Sequence, residues 1–390
     1  MWTARTGAGP FGDHDNTTTP WVDTHVGEPV TEIDVLLDEI SPYQSRRVVV
    51  ECDSHTTAAY LLDARERIRV PVWLANHESA PTEVQPGDLY QGRAPLMPEA
   101  YTKHPQGRPR FDPDSLRAVW FEEGDGVALI DEEGLLAVIP GWADADSGLP
   151  GYAREAIGRS AYAWELDSVK RRLWPRVVHA EAYWDWRRAS GAWRSVQRTV
   201  LGHLNRRVGE AGHYWDVSDG HPPLLRLSER PPTGERPFTI LSTVGMCGQR
   251  MPTLDRYMAD TSHHARVELA LATTLPAHHA ARVFRWIGAF PWRAVTWFGT
   301  GHTVKWLDNP EDQAMRRGAG AVLLLEDPTP LVTDPDHRPP DTSGLNFQGD
   351  PVKWLWIVPI TRPEHLFAKE HDSATLVEKL AAEGRSWVLG

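Results

Sequence analysis

The apolar run VKWLWIVPI at residues 352–360 constrains the fold more than any other stretch of the chain. Alternate residues of a strand point to opposite faces of its sheet, and this run is apolar on both of its alternating sets. A strand of this kind lies in the middle of a sheet that is covered on both sides. The chain is therefore expected to build a layered structure around it.

Other segments of the C-terminal part predict strands and helices around that run. FTILSTVGM at 238–246 and AVLLLEDP at 321–328 are short apolar strands, the second ended by Pro328. ARVELALATTL at 265–275 alternates with period two, which predicts a half-buried strand. Helices are interspersed among these strands, so the fold class is α+β, with a mixed or antiparallel sheet and flanking helices.

Helices are predicted from apolar spacing and from capping residues. Pro175 suits the first turn of one helix. The next carries a stripe of four apolar residues at steps of four, from Val196 to Val208. Thr361 and Glu364 have the spacing of a capping box and are expected to open a helix, and a last helix is expected to stop at Gly384.

The N-terminal part has its own pattern of elements. TEIDVLLDEI at 31–40 has apolar residues at helical spacing, at positions 33, 36, 37 and 40. RRVVVEC at 46–52 indicates a buried strand. GVALIDEEGLLAVIP at 126–140 indicates a hairpin that turns at residues 131–134. These patterns predict an α/β region of unknown type.

The chain divides into four parts by composition and pattern. Residues 1–20, rich in Gly, Thr and Pro, are expected to form a mobile tail. The α/β region covers 21–165, a helical segment and connector cover 166–232, and the α+β domain covers 233–390. The N-terminal region is a candidate second lobe, and a cleft between two lobes is a common place for a ligand.

Composition excludes several classes of protein. The formal net charge of −12 argues against a protein that coats nucleic acid, because phosphate contacts need an excess of Lys and Arg. It fits a protein that offers an acidic surface to a basic partner. The N-terminus has no signal-peptide core and no run reaches the length of a membrane helix, so a cytoplasmic protein is expected. The two cysteines, Cys52 and Cys247, are expected to be reduced thiols.

Cys247 is the candidate nucleophile, because it follows a predicted strand at a glycine turn. A nucleophile elbow has the pattern glycine, any residue, nucleophile, any residue, glycine. Here Gly245 and Gly248 flank Cys247 with one residue too few. A cysteine nucleophile also needs a base such as His263 or His302. The sequence favours a structural role for the thiol.

Candidate metal ligands are weighed against simpler roles. Adjacent histidines, His263 with His264 and His278 with His279, do not chelate together on a strand, because their side chains point to opposite faces. The loop HYWDVSDGHPP could hold a divalent ion or could form a turn in which the aspartates cap backbone amides; its candidate residues are His213, Asp216, Asp219 and His221. No catalytic residue, metal site or cofactor is predicted, so binding is favoured over catalysis.

Five segments between residues 238 and 383 resemble, in order, the SUFU (suppressor of fused) domain family. They are FTILSTVGM, ARVELALATTLP, GTGHTVKW, AVLLLEDP and VKWLWIVPITRPEHLFAKEHDSATLVEKL. The resemblance places five residues at family positions with expected structural roles. Gly245 makes a bend, Glu268 is an edge-facing carboxylate, His302 is a turn histidine, Pro359 belongs to the central strand and Glu364 caps a helix.

The resemblance implies a mixed α/β fold and a protein-binding role. Animal members hold a transcription factor in a cleft between two lobes, where a short peptide adds as a strand. Bacterial relatives resemble immunity proteins that neutralise a cognate polymorphic toxin. An acidic inhibitor of this type suits a basic toxin domain, such as a nuclease. Binding to nucleic acid or to a membrane is not expected.

The loop at residues 249–264 departs from the animal pattern and is the candidate partner-binding loop. Asp255, Arg256 and Tyr257 are its predicted rim residues. Two alternatives to an immunity protein stay open. One is a cysteine- or metal-dependent hydrolase that uses Cys247 or the loop near Asp216. The other is an intracellular scaffold or regulator that binds an extended peptide.

Overall fold

The first sheet of the protein is a four-stranded antiparallel meander. The computed structural model describes residues 33–83, 94–218, 220–305 and 319–390, without the side chains at 279 and 280. The strands of the first sheet are β1 (Asp34–Ile40), β2 (Arg46–Cys52), β3 (Thr56–Asp63) and β4 (Ile68–Asn76). They lie side by side in the order in which they occur in the chain. The predicted tail at residues 1–20 lies outside the described residues.

The predicted helix at residues 31–40 is wrong, because residues 34–40 of this segment form the edge strand β1. Its pairing with β2 shifts register between Val35 and Leu37, which is the signature of a β-bulge. The bulge leaves two consecutive residues, Leu36 and Leu37, half-buried. The alternation of apolar and polar residues along the strand is therefore interrupted. As a result, the apolar positions 33, 36, 37 and 40 have the spacing expected of a helix. Pairing with β2 decides the conformation.

A second sheet of five short strands completes the N-terminal part. Its strands, in spatial order, are β5 (Arg117–Trp120), β6 (Val127–Asp131), β7 (Gly134–Ile139), β8 (Tyr152–Ala153) and β9 (Trp164–Glu165). β6 and β7 are antiparallel neighbours, which confirms the predicted hairpin. Two short 3₁₀ helices, Glu99–Tyr101 and Pro113–Ser115, precede this sheet. Side chains of both sheets meet in one apolar core.

Two long helices follow: α1 (Lys170–Arg188) and α2 (Ala192–Arg207). Pro175 lies inside α1, so the prediction that it opens the helix is wrong; the helix begins five residues earlier. In α2 the predicted apolar stripe is confirmed at three of its four positions, since Val196, Val200 and Leu204 are buried, whereas Val208 follows the end of the helix and is half-buried.

The C-terminal part is built on an eight-stranded mixed sheet. Its strands are β10 (Tyr214–Asp216), β11 (Arg226–Arg230), β12 (Thr239–Val244), β13 (Arg266–Thr273), β14 (Thr303–Lys305), β15 (Ala319–Leu325), β16 (Asn346–Phe347) and β17 (Asp350–Thr361). The spatial order is β10, β11, β12, β13, β17, β15, β14, with β16 paired to the start of β17. Only the β13 and β17 pair is parallel within the described part of this sheet. The α+β fold class with a mixed sheet is thereby confirmed.

Helices and short turns connect these strands. They are α3 (Leu254–Tyr257), α4 (Ala277–Ile287), α5 (Phe290–Ala294), α6 (Arg362–Glu370) and α7 (Ser373–Ala382), with 3₁₀ helices at Met246–Gly248, Thr329–Leu331 and Pro335–His337. α6 opens with the predicted capping box between Thr361 and Glu364. Gly384 follows the end of α7 with a positive φ of 68°, as expected for a residue just after a helix.

Both faces of the C-terminal sheet are covered by apolar cores. One core contains Leu241, Leu269 and Leu355, and the other contains Ile240, Ala270 and Trp356. All eight residues of β13 are consequently buried, so the prediction of a half-buried strand is wrong. The alternation is present, but a second layer covers the face that the sequence assigned to solvent.

The N-terminal sheets pack against the C-terminal part, and residues 33–390 form one compact unit. A guanidinium nitrogen of Arg266 lies 2.8 Å from the Glu122 carboxylate, which follows β5. The Thr253 amide donates to Asp125 at 2.8 Å. Buried ionic and polar contacts therefore join the two parts. The domain boundaries at 21–165, 166–232 and 233–390 stay predictions.

Candidate protein-binding groove

The most distinctive surface feature of the C-terminal sheet is a gap along one side of β17. β13 pairs with residues 352–356 of β17 on one side. On the other side β15 pairs only from residue 356 onward, and β16 pairs only with residues 350 and 351. In the described part of the chain no strand pairs with residues 353–355 on this side. β15 ends before Pro328, whose missing N–H cannot continue a ladder.

The backbone of Trp354 faces this gap. The Val352 amide donates to the Leu345 carbonyl at 2.8 Å, so the backbone groups of residue 352 point away from β13. Backbone N–H and C=O groups of alternate strand residues point to the same edge, so those of Trp354 point that way too. Pro359 is five residues from Trp354, so its backbone nitrogen points to the opposite edge of β17, away from β15. A proline is thus tolerated in a central strand, and the N–H and C=O of Trp354 are presented to the gap.

A groove of about 440 Å³ lies over the gap. Its walls come from residues 326–329 after β15 and from residues 339–346, and its floor comes from residues 351–354 and 356 of β17. His263 adds to the lining from the predicted partner-binding loop. Gap and groove coincide, so the unpaired stretch of β17 lines a surface depression.

The indole of Trp354 forms part of the groove floor. The residue is 3% exposed, and its Nε1–H has no hydrogen-bond partner in the described structure. Its ring stacks on His203 of α2 with centroids 6.0 Å apart and an interplanar angle of 13°. His203 Nε2 lies 2.8 Å from the Thr342 carbonyl in the groove wall. Burial lowers the pKa of His203, which keeps the ring neutral at pH 7. The Trp354 side chain is therefore held in place by stacking, and its indole N–H is buried without a hydrogen-bond partner in the described structure.

The rim of the groove is acidic. Among its lining residues are the carboxylates of Glu326, Asp327 and Asp341, against one lysine, Lys353. Lys353 pairs with Glu326 at 2.5 Å, and Asp341 pairs with Arg207 of α2 at 3.1 Å. This local charge has the same sign as the net charge of −12. A basic partner would be favoured at such a rim.

The predicted rim residues lie elsewhere. Asp255, Arg256 and Tyr257 form most of the short helix α3. Asp255 pairs with Arg176 of α1 at 2.8 Å. Arg256 and Tyr257 line a separate depression of about 160 Å³, and Tyr257 is 60% exposed. The structure does not bring these three residues to the groove, and their role in partner binding stays a prediction.

Gly245 and Glu268 together form the turn at which β12 ends. Gly245 has a φ of 121°, and a Cβ at this position would lie 2.5 Å from the Leu224 carbonyl oxygen. Glu268 accepts hydrogen bonds from Thr243 Oγ1 at 2.5 Å and from the amides of Gly245 and Cys247 at 3.0 and 3.1 Å. The expectation of an edge-facing carboxylate is wrong. Glu268 is fully buried, because both faces of β13 are covered, and burial raises its pKa.

Cys247 is not presented as a nucleophile. It is 0% exposed, and burial together with the neighbouring Glu268 carboxylate raises the pKa of its thiol. A reactive cysteine needs the opposite shift and an accessible sulfur. Of the two suggested bases, His263 lines the groove, and His302 Nδ1 lies 3.3 Å from the Trp297 carbonyl, where burial lowers the His302 pKa. Cys247 is a core residue at a turn.

The remaining candidates have structural contacts. The Glu364 carboxylate accepts from the Thr361 amide at 2.7 Å and pairs with Arg385 at 3.1 Å, so it caps α6 as expected. Asp216 accepts from the amide and hydroxyl of Ser218, at 3.0 and 2.7 Å, and pairs with Arg226. His213 pairs with Glu229 at 2.7 Å.

Those contacts at residues 213–218 match the simpler reading of that loop as a capped turn. Asp219 lies outside the described residues. His263 and His264 are exposed just before β13, and His278 is exposed at the start of α4. Across the described ranges, no three His, Cys, Asp or Glu side chains lie together as a metal site would require. Within the same ranges, no helix has the length and apolar character needed to cross a bilayer.

Comparison with known proteins gives a family match for the C-terminal part of the chain. The family model for Suppressor of fused protein (SUFU) matches residues 220–389. No curated protein shows significant similarity to the chain. Among solved structures, a SUFU homologue from Neisseria gonorrhoeae is 16% identical, with a TM-score of 0.35, and the alignment covers 50% of this chain and 93% of that one.

Two further solved structures have similar statistics. The Sufu-Fu complex is 12% identical, with a TM-score of 0.36, over 50% of this chain and 88% of that one. Drosophila Suppressor of Fused is 12% identical, with a TM-score of 0.32, over 50% and 49% of the respective chains. The immunity-protein type stays a prediction. The match over residues 220–389 confirms the resemblance of the C-terminal part to the SUFU family.

Proposed function

We propose that the protein binds a partner protein by taking an extended segment of it into the groove beside Trp354. The observation that carries this proposal is the gap along β17 at residues 353–355. An added strand would pair with the backbone of Trp354, and such main-chain hydrogen bonds supply affinity with little demand on sequence.

The side chains around the groove indicate the chemistry of the partner. Glu326, Asp327 and Asp341 would attract lysine or arginine side chains that flank the inserted segment. Opposite charge speeds association and orients the encounter, while the buried floor around Trp354 determines how slowly the complex dissociates. The preferred partner is therefore a protein with a basic extended segment.

We further propose that this partner is a toxin domain and that the chain is its immunity protein, which neutralises the toxin by direct binding. The match to the SUFU family over residues 220–389 and the net charge of −12 support this assignment. A nuclease toxin must carry a basic surface in order to hold its phosphate substrate. An acidic inhibitor that covers such a surface would block access to the substrate.

Co-expression tests the immunity assignment. The toxin to use is the variable C-terminal domain of a large secreted protein encoded beside this gene. We expect this protein to restore growth of cells that express the toxin domain and to co-purify with it. If the toxin domain kills with or without this protein and no complex forms, the immunity assignment fails. Ordinary metabolic neighbours of the gene would count against it and would favour a scaffold or regulator.

Charge reversal tests the groove separately. Glu326→Lys with Asp327→Lys should weaken binding of the co-purified partner by at least tenfold and make the remaining binding less sensitive to added salt, because the attraction that salt screens has been removed. Glu378→Lys, an exposed carboxylate on α7, is the matched control and should leave affinity unchanged. Equal affinity of the groove variant and the control would exclude the groove while leaving the immunity assignment standing.

A further inference from the structure

Two arginines, Arg230 at the end of β11 and Arg236 six residues later, are buried and form no ion pair with a carboxylate of the described residues. Arg230 is 0% exposed and Arg236 is 9% exposed. Arg236 donates to three backbone carbonyls, those of Val208, Arg230 and Pro231. In contrast, Nε, Nη1 and Nη2 of Arg230 all lack a hydrogen-bond partner in the described structure. A fully buried guanidinium with no partner is a costly arrangement.

Other unpartnered donors belong to the same place. The hydroxyl of Ser228 and the Nε–H of Arg236 are also buried without a hydrogen-bond partner. Ser228 and Arg230 are two residues apart on β11, so both point to the sheet face that carries Ile240 and is covered by α2. Arg236 reaches the end of α2 through the Val208 carbonyl, 3.2 Å from its Nη1. The three unpartnered groups thus share the space between β11 and the C-terminal half of α2.

Arg226, on the same face of the same strand, has an ordinary environment. It pairs with Asp216 at 2.6 Å and lies over the Trp193 ring at 5.3 Å, near the start of α2. Arg230 has no such carboxylate: burial and the positive charge of Arg236 lower its pKa to about 10. Arg230 is still protonated at neutral pH, so its charge is uncompensated there. Buried groups of this kind call for an ion or an ordered partner.

We propose that Arg230, Ser228 and Arg236 form an internal binding site for a small monovalent anion such as chloride. Every unpartnered group at this site can donate: the nitrogens of Arg230, the hydroxyl of Ser228 and the Nε–H of Arg236. A water molecule would need acceptors for its own two hydrogens, whereas an anion only accepts. An anion also compensates the charge of Arg230. It enters through local opening of the exposed loop at residues 231–235.

The anion dependence of thermal stability tests this proposal on the full chain. The melting temperature is measured in sodium chloride and sodium gluconate mixtures of constant total concentration, so that ionic strength does not change. Gluconate is too large for an internal site. We expect the wild-type melting temperature to rise with chloride and to saturate, as ligand binding to the folded state requires. The same melting temperature in both salts would overturn the proposal.

Variants assign the effect to the site. Arg230→Met removes the uncompensated charge, so it should abolish the chloride response and melt no lower than wild type in pure gluconate. Arg198→Met, an exposed arginine of α2, is the matched control and should keep the full response. A chloride response retained in Arg230→Met would place the anion elsewhere.

A second variant and a direct measurement cover the case in which Arg230→Met does not fold. Ser228→Ala removes one donor from the site and should raise the half-saturating chloride concentration several-fold. Crystals grown in bromide should show an anomalous peak beside the Arg230 guanidinium. An unchanged chloride response in Ser228→Ala together with the absence of that peak would exclude the site.

Discussion

Arg266 and Arg230 are two wholly buried arginines of the same sheet, and their environments are opposite. The guanidinium of Arg266 contacts Glu122 at 2.8 Å and Asp350 at 2.9 Å, and it donates to the Cys247 carbonyl at 2.9 Å. The guanidinium of Arg230 has no partner at all in the described structure.

The difference between them lies in which segments reach each side chain. Arg266 starts β13, where residue 122 from the N-terminal part and residue 350 from the start of β17 converge. Attraction from these two carboxylates outweighs burial and raises the pKa of Arg266. Arg230 ends β11 beneath α2, where none of the described acidic side chains contacts its guanidinium. Arg266 therefore holds separate segments together. Arg230 instead keeps unused hydrogen-bond donors, which the proposed anion would accept from.

Replacement of the two arginines should have opposite outcomes. Arg266→Met leaves Glu122 and Asp350 buried without their guanidinium, so we expect the free energy of unfolding to fall by about 3 to 5 kcal/mol. Arg230→Met removes a charge that lacks a partner and should cost little, or even stabilise, in chloride-free solution. Urea unfolding of both variants measures the contrast. Equal losses would show that the two environments do not differ energetically.

Asp125 extends the contrast to a carboxylate. It is buried, and one of its oxygens, Oδ1, has no hydrogen-bond partner in the described structure. Burial first, and then the charges of Glu123 and Asp255, raise its pKa to about 7. The folded state therefore holds the proton more tightly than the unfolded state does. The stability contributed by this proton is full at low pH and is lost as the pH rises through 7.

Between pH 5 and pH 8 this proton should account for about 2 to 3 kcal/mol of lost unfolding free energy. In Asp125→Asn that component is absent, so the variant should be less sensitive to pH than wild type. Asp146→Asn, at an exposed aspartate, is the matched control. Denaturant unfolding at the two pH values is the measurement, and parallel pH profiles for wild type and Asp125→Asn would contradict the assignment.

Local patterns predicted much of the C-terminal fold. The central strand β17, the stripe on α2 and the capping box at Thr361 all follow from residues within one element. Errors arose where a distant partner decides the outcome. The sequence of β1 predicts a helix because a bulge interrupts the alternation of its apolar residues. The sequence of β13 predicts a half-buried strand because it does not reveal the second layer that covers the strand.

The candidate groove could be predicted only in part. Trp354 lies in the run that identified the central strand, yet its unpaired backbone edge depends on where β15 and β16 end. The contact between Arg266 and Glu122 depends on the packing of two separate regions. No local pattern signals either arrangement, since both arise from pairing between segments that are far apart in the chain.

Arg250 lies on the solvent side of the ionic cluster formed by Glu122, Arg266 and Asp350. Its coupling to Asp350 shows whether the cluster extends to that side. Arg250 makes a bidentate contact with Asp350, at 2.8 and 2.7 Å, but its own side chain is partly exposed. A double-mutant cycle of Arg250→Met and Asp350→Asn should give a coupling energy of about 1 to 2 kcal/mol, because the contact is charged but partly solvated. Zero coupling would confine the effective cluster to Glu122, Arg266 and Asp350.

His179 lies at the outer edge of the same cluster, and its titration is the smallest effect expected. Its Nε2 is 3.1 Å from Glu122, and this hydrogen bond raises the histidine pKa. A raised folded pKa means that the stabilising contribution is full below the unfolded value near 6.5 and is lost as the pH rises through the folded value. The pKa of His179, followed by NMR, should lie above 6.5 in wild type and fall toward 6.5 in Glu122→Gln. A wild-type His179 pKa at or below 6.5 would show that Arg266 neutralises the charge of Glu122 completely. His179 would then lie outside the ionic cluster despite its hydrogen bond to Glu122.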